Sequence, residues 1–357
     1  MTGSPTDIPY RLTRVGIVMT PDPTDAREAE GVLNPASGRG PDGELYLLPR
    51  LVAEGNVSRV GIARVVVAEG APVAVEREGI VLEPDRGWER GVGNAGVEDP
   101  RTTWIDALGL HVMTYVAYGP LGPRTAIAVS EDLRDWRRLG PALFRYQEDL
   151  DMDLNLFHNK DTVFFPEPVT APDGRAALAV LHRPMWDLGE TRPGQGVRVP
   201  AGVTDQRQSI WISYVPLDAV QADVAALALW EQHHFVAGPE FPFEALKIGG
   251  GPPPLRVPEG WLVLHHGVTG VIDSAFSQQQ KVNYAAGALL LDADDPRRVL
   301  ARTPEPLLAP ETADERSGIV PNVVFPTAIE EIDGRHFVFY GMADSKIGVA
   351  LLERTDT

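Results

Sequence analysis

A phrase that recurs five times sets the tightest limit on how this chain can fold: a strand of small and branched residues, a polar turn, then a second strand ending near proline. Its copies begin at Arg59 (RVGIARVVVAEG), Arg124 (RTAIAVSEDLRDW), Ser209 (SIWISYVPLDAV), Tyr284 (YAAGALLLDADDP) and Lys346 (KIGVALLER), spaced 65, 85, 75 and 62 residues apart. Intervals of this size suit a four-stranded antiparallel unit carrying loops, and five units fit the length. The fifth copy reaches the C-terminus before its second strand. The N-terminal RVGIVMTPD (Arg14 to Asp22) closely resembles REGIVLEPD (Arg77 to Asp85), the segment after the first copy. The N-terminal strand is therefore expected to complete the last unit, pairing edges that an all-β ring cannot leave open. The fold expected is all-β: one domain over residues 1–357, a five-bladed β-propeller closed by pairing of its N- and C-terminal strands. One short helix is expected at Ala219–Trp230, with long surface loops at Asp187–Ser209 and Thr269–Lys281.

Charge narrows the ligands. The formal net charge of −18 over 357 residues argues against nucleic acid or an anionic membrane, both of which need a broad basic footprint. Any anion site must be a local basic pocket. The absence of cysteine removes disulfides and thiolate chemistry. The opening MTGSPTDIPYRL has no apolar core of a signal peptide, and no stretch reaches transmembrane length, so a cytoplasmic location is expected.

Two glycine runs mislead. Gly91 to Gly96 spells G-x-G-x-x-G, but Val97-Glu98-Asp99-Pro100 follows, and Pro100 forbids the long helix a dinucleotide site needs. Gly249-Gly250-Gly251 lacks the Gly-Lys-Ser/Thr ending of a phosphate loop and reads as a turn into three prolines. The pairs His233-His234 and His265-His266, if on strands, point to opposite faces and cannot chelate one ion. No metal site and no cofactor are expected.

The chemistry collects in polar clusters beside Gly, Pro or aromatic residues: Asn34-Pro35 with Arg50, Glu98-Asp99-Pro100-Arg101, Asn159-Lys160-Asp161 running to Glu167, His182-Arg183-Pro184, Glu244 to Lys247, His265-His266-Gly267, and Tyr340 to Asp344. In this order the segments GVEDPR (96–101), Asn159 to Glu167, LHRP (181–184), FEALKIGGGPPP (243–254) and VPNVVFP (320–326) make the chain resemble glycoside hydrolase family 130, the β-mannoside phosphorylases and related β-mannosidases. The resemblance runs from Asn34-Pro35 to Gly348-Val349-Ala350.

It implies a propeller with the active site at its central opening and Asp99 as general acid, its proton reaching the glycosidic oxygen through a hydroxyl of the bound mannose. Asn34, Arg50 and Asp344 match positions that hold the mannose, and Glu98 and Arg101, on either side of the acid, are expected as further substrate-binding residues. Arg183, Lys247 and His266 match positions that bind phosphate, with Lys160 and Asp161 as further substrate or phosphate contacts. The expected partners are a small carbohydrate and inorganic phosphate as co-substrate; the oligomeric state is left open, a homo-oligomer included. Pro49 before Arg50, His265 before His266 and the long segment Asp187 to Ser209 depart from the usual pattern near the sugar sites.

Physical logic points the same way. An ordinary inverting glycosidase needs two carboxylates, one as acid and one to activate water. Phosphate is already an anionic nucleophile and needs only to be held in line, which an Arg fork with Lys and His donors does well. Two of the four lysines, Lys160 and Lys247, lie inside the motifs. The expected reaction is inverting phosphorolysis of a β-1,2- or β-1,4-linked mannoside to α-mannose 1-phosphate by a glycosyltransferase-type phosphorylase. The alternatives are a phosphate-independent β-mannosidase of the same family and a non-catalytic carbohydrate-binding propeller.

Overall fold

The computed structural model describes residues 8–91, 93–187, 194–272 and 279–355. Val92 of the first glycine run and parts of both expected long loops lie outside them. The strands form five antiparallel meanders. The first runs Gly31–Arg39, Leu45–Ala53, Val57–Ala68, Ala71–Leu82, and the second Ala95–Ile105, Leu110–Gly119, Gly122–Ser130, Arg137–Pro141. The third is His158–Phe164, Ala176–Met185, Ile210–Pro216, Leu229–Ala237; the fourth is Lys247–Gly250, Gly260–Val271, Lys281–Leu291, Val299–Arg302. The fifth takes Val324–Ile332, Arg335–Met342 and Lys346–Arg354 from the C-terminus and Tyr10–Met19 from the N-terminus.

Each repeat seen in the sequence is the third strand of its meander. The N-terminal strand pairs antiparallel with the last one, Gly16 opposite Val349 and Ile17 opposite Gly348, just as Ala71–Leu82 pairs with the third strand of the first meander. The likeness of RVGIVMTPD to REGIVLEPD thus reflects one structural role.

The ladders make four sheets rather than five. The first and second meanders share an eight-stranded sheet through a parallel contact of Val57 with Ala95 and Ser58 with Gly96. Gly96 has φ +125°, and a β-carbon there would lie 2.2 Å from the Ser58 carbonyl oxygen, so this approach needs glycine. A strand follows the glycine run, not a helix.

Apolar packing is cyclic in sequence order. Separate clusters join meanders one and two (Tyr46, Ile62 with Met113, Tyr115), two and three (Val112, Ile127 with Leu178, Trp211), three and four (Phe165, Ile212 with Trp261, Leu289), and four and five (Leu264, Ala286 with Val324, Tyr340). A fifth joins meander five back to meander one (Phe337, Val349 with Leu47, Val65).

A polar brace also repeats. In meanders one, two, four and five a buried glutamate just before the first strand accepts from an arginine of the outermost strand: Glu28 from Arg77, Glu89 from Arg138, Glu244 from Arg302 and Glu315 from Arg14, each at 2.8 Å. Tyr115, His265 and Tyr340 of the second strands donate to the same carboxylates in meanders two, four and five. Losing one partner of such a pair leaves a buried charge, which costs about 3–5 kcal/mol.

Two local expectations are corrected. The helix at Ala219–Trp230 is only Leu217–Ala222: Asp223 turns extended at φ −150° and caps a 3-10 turn, Val224–Ala228, after which Trp230 joins a strand. An aspartate that bonds the nearby backbone competes with helix continuation. Lys247–Gly250 is a strand rather than a turn, and Thr269–Val271 extends another. Among the described residues no helix is long and apolar enough to cross a membrane.

Candidate active site

Three first strands lose register at the same point, between Leu33 and Ala36, Glu98 and Arg101, and Lys160 and Val163. The residues at the breaks, Asn34, Asp99 and Asp161, have φ of 41°, 47° and 53°. A bulge re-aims a side chain, and Asn and Asp are the non-glycine residues that best tolerate left-handed backbone. The repeat therefore presents one polar side chain from the same place in three successive meanders. Asp344, at φ 50°, lies in the turn just after the second strand of the fifth.

Around Asp99 the groups come from meanders one, two and five. Asn34 Nδ2 donates to Asp99 Oδ1 at 2.8 Å and Arg50 Nη1 to the same oxygen at 2.9 Å. Arg50 is itself fixed, its Nε donating to Ser58 and its Nη2 to Asn56 and to Glu98 at 2.9 Å. Burial raises the Asp99 carboxyl, but Arg50, Lys160, Asn34 and Arg101 outweigh it and hold it below the ordinary aspartate value. Asp344 goes the other way: burial first, then the charges of Asp99 and Glu98, push it up to about 7 against the pull of Arg50. The pair thus keeps one proton to near neutral pH, carried on Asp344 in the free site.

The second group comes from meanders three and four. Asp161 binds Arg183 Nε at 2.5 Å, His266 Nε2 at 3.4 Å and Arg101 Nη2 at 3.4 Å. Burial raises its carboxyl, yet these partners bring it well below the usual range. The approach needs Gly249, where a β-carbon would lie 2.1 Å from Asp161 Oδ2. Arg183 Nη1 and His266 Nδ1 are buried with no hydrogen-bond partner among the described residues. Lys247 is buried with its Nζ over the Tyr284 ring at 5.5 Å. Burial, then Arg183, lowers it to about 7. Burial outweighs Asp161 at His266 and lowers it to about 4, so His266 is neutral: its Nε2–H faces Asp161, and its Nδ1 is left as an acceptor for the O–H of a phosphate.

All ten candidates besides Asp99 fall in these two groups or between them, with different parts to play. Lys160 faces Glu98 at 3.6 Å and the Tyr118 ring at 5.5 Å, and its charge acts on both Asp99 and Lys247, so it stands between the two groups. Arg101, expected at the sugar, donates to the Gly250 and Gly251 carbonyls at 3.0 and 2.9 Å. It braces meander two against meander four while pairing with Asp161. Sequence reasoning missed Tyr284 and Phe325, whose rings lie 5.8 and 4.4 Å from that of His266, because nothing in their spacing sets them apart from core aromatics. Clefts of about 520 and 540 Å³ beside Arg145, Arg175 and Glu231 include none of the candidates; Arg145 and Arg175 both pair with Glu231.

Comparison with known proteins follows the same lines. A family model described as beta-1,4-mannooligosaccharide phosphorylase matches residues 24–356. A 1,2-beta-oligomannan phosphorylase of Thermoanaerobacter sp. is 31% identical over 265 residues, 73% of this chain and 69% of that protein. A beta-1,4-mannooligosaccharide phosphorylase of Ruminococcus albus is 37% identical over 123 residues, 34% of this chain and 35% of that one. The solved beta-1,2-mannobiose phosphorylase of Listeria innocua, in complex with beta-1,2-mannobiose, shares the fold, with a TM-score of 0.69 at 20% identity over 98% of this chain and 97% of that one.

Proposed function

The chain belongs to glycoside hydrolase family 130, the mannoside phosphorylase family, and from that premise we propose that it cleaves β-mannosides by inverting phosphorolysis at the centre of a five-bladed propeller. The cyclic order of the apolar clusters and the pairing of Tyr10–Met19 with the last strand support the ring. One observation carries the reaction type: Arg183, with a buried unpartnered Nη1, lies beside Lys247, which has no carboxylate hydrogen-bonded to it among the described residues. An oxyanion completes such a site with charge-assisted hydrogen bonds.

The mannose sits between the two groups, held by Asn34, Arg50 and Asp344. Phosphate bound by Arg183, Lys247 and His266 attacks C1, the C1–O bond to the leaving sugar breaks, and the leaving oxygen takes the proton held by the Asp99–Asp344 pair. Asp99 takes that proton over from Asp344 once the mannose is bound, delivers it through a mannose hydroxyl, and is left as the carboxylate that Asn34 and Arg50 hold. Attack from the face opposite the leaving group inverts C1 and yields α-mannose 1-phosphate. A water-using mechanism would need a free carboxylate as base. Asp161 is bound by two guanidinium groups and Glu98 by Arg50 and Lys160, which leaves neither suited to take a proton from water.

The reverse reaction tests this reading. Given α-mannose 1-phosphate with mannose, glucose or N-acetylglucosamine as acceptor, the enzyme should release inorganic phosphate and form a β-mannoside, whose linkage identifies the natural bond. Absence of phosphate release with every acceptor would remove the reading.

A further inference from the structure

Among the described residues the third meander has no glutamate–arginine brace like that of the other four, and what stands in its place leads to the site. In place of the outer-strand arginine stands His233, and the backbone of His233 is held by the amide of Gln147 rather than by a carboxylate, with Oε1 accepting from its N–H at 2.7 Å. From His233 a buried chain of hydrogen bonds crosses the sheet: Arg145 carbonyl to His233 Nε2 at 2.9 Å, His233 Nδ1 to Ser213 Oγ at 2.8 Å, Ser213 Oγ to His182 Nε2 at 2.8 Å, and His182 Nδ1 to Asn159 Nδ2 at 2.9 Å. His182, Ser213, His233 and Asn159 are all at most 3% exposed.

The chain permits one pattern of donors. The Arg145 carbonyl can only accept, so His233 carries its proton on Nε2 and accepts at Nδ1 from the Ser213 hydroxyl. Ser213 then accepts from His182 Nε2–H, and His182 Nδ1 accepts from the Asn159 amide. A proton added to His182 would set its Nδ1–H against the Asn159 amide, and one added to His233 would force the Ser213 hydroxyl out of the chain. Burial accordingly lowers both rings, His233 to about 4. The inner end lies on the two strand segments that carry the basic group: Asn159 opposes Pro184, and Lys160 opposes Arg183. His182 and Arg183 are neighbours on one strand.

We infer that His182, Ser213 and His233 are positioning residues that fix Asn159 and the Lys160–Arg183 strand pair, so that Arg183 keeps a free edge for phosphate. The neutral chain stands where the other meanders carry the glutamate–arginine brace, and it holds the face of this strand opposite to the one Arg183 presents to Asp161. The inference rests on the phosphorolysis reading above for what Arg183 binds.

The test is calorimetric binding of inorganic phosphate to wild type, Ser213→Ala and Ser213→Thr, with steady-state kinetics alongside. Ser213→Ala breaks the chain at its centre and should weaken phosphate binding by about tenfold, the size of one net hydrogen bond, while KM for the mannoside stays within about twofold of wild type. Ser213→Thr keeps the hydroxyl and should restore most of the affinity. If Ser213→Ala does not fold, His233→Gln at the outer end should shift phosphate binding in the same direction. Folded variants that bind phosphate as wild type does, or that lose phosphate and mannoside affinity equally, overturn the positioning role alone. A wild type that binds no phosphate overturns the phosphorolysis reading, and this inference with it.

Discussion

Replacing Asp99 with asparagine is expected to lower kcat on an unactivated β-mannoside by about a hundredfold to ten-thousandfold, the usual worth of a positioned acid. The amide keeps the shape of the carboxylate, and its oxygen can still accept from Asn34 and Arg50, which reach Asp99 Oδ1 at 2.8 and 2.9 Å. The fold should therefore survive, and a melting curve near that of wild type separates lost chemistry from lost structure. What disappears is the carboxylate that takes over the Asp344 proton and passes it to the leaving oxygen. A 4-nitrophenyl mannoside, whose leaving group needs little protonation, should lose far less. Equal losses on both substrates, or wild-type turnover of the unactivated one, would take the acid role from Asp99.

The second large effect concerns the nucleophile. Lys247→Ala should raise KM for phosphate by roughly ten- to a hundredfold, since a hydrogen bond to a charged group is worth about 1.5–3 kcal/mol. The mannoside is held by the other group, so its KM should change by no more than about twofold. A pH dependence accompanies this. Burial, then Arg183, lowers Lys247 to about 7 in the free site, and a bound anion favours the charged form. Binding then takes up a proton as pH rises above that value, and affinity should fall by up to about tenfold per pH unit. Sulfate is the cleaner probe, because its own charge is constant over this range. A Lys247→Ala protein should bind sulfate weakly and with a flatter profile. Sulfate affinity that is unchanged by the mutation, or independent of pH in wild type, would place the anion elsewhere.

The fold was legible where a unit repeats. Third strands recur because each meander must bury the same strip between its neighbours, and the pairing of the N-terminal strand with the last one showed because Arg14 to Asp22 and Arg77 to Asp85 do one job in two meanders. The glutamate–arginine braces were not legible, since Arg14 and Glu315 meet across 301 residues and nothing local links them. The helix at Ala219 was overread because an alanine-rich run outweighed Asp223, whose side chain caps the next turn instead. In the site, residue types were visible but the geometry was not. Asn34-Pro35 and Asp99-Pro100 look like turns; only strand pairing shows them, with Asp161, to be equivalent bulges. The Gly249 strand read as a turn because glycine usually marks one, whereas here it makes room for Asp161 and His266. The roles of Arg101 and Lys160 depended on which group each side chain faces, which sequence order alone cannot say.

The central claim is that phosphate is the nucleophile, and the most direct test is to incubate the wild-type enzyme with a β-mannobiose, with and without inorganic phosphate, and follow the first product by NMR. The account predicts cleavage only with phosphate, one phosphate consumed per bond broken, and α-mannose 1-phosphate as the initial product. Free mannose released at the same rate whether or not phosphate is present would contradict it.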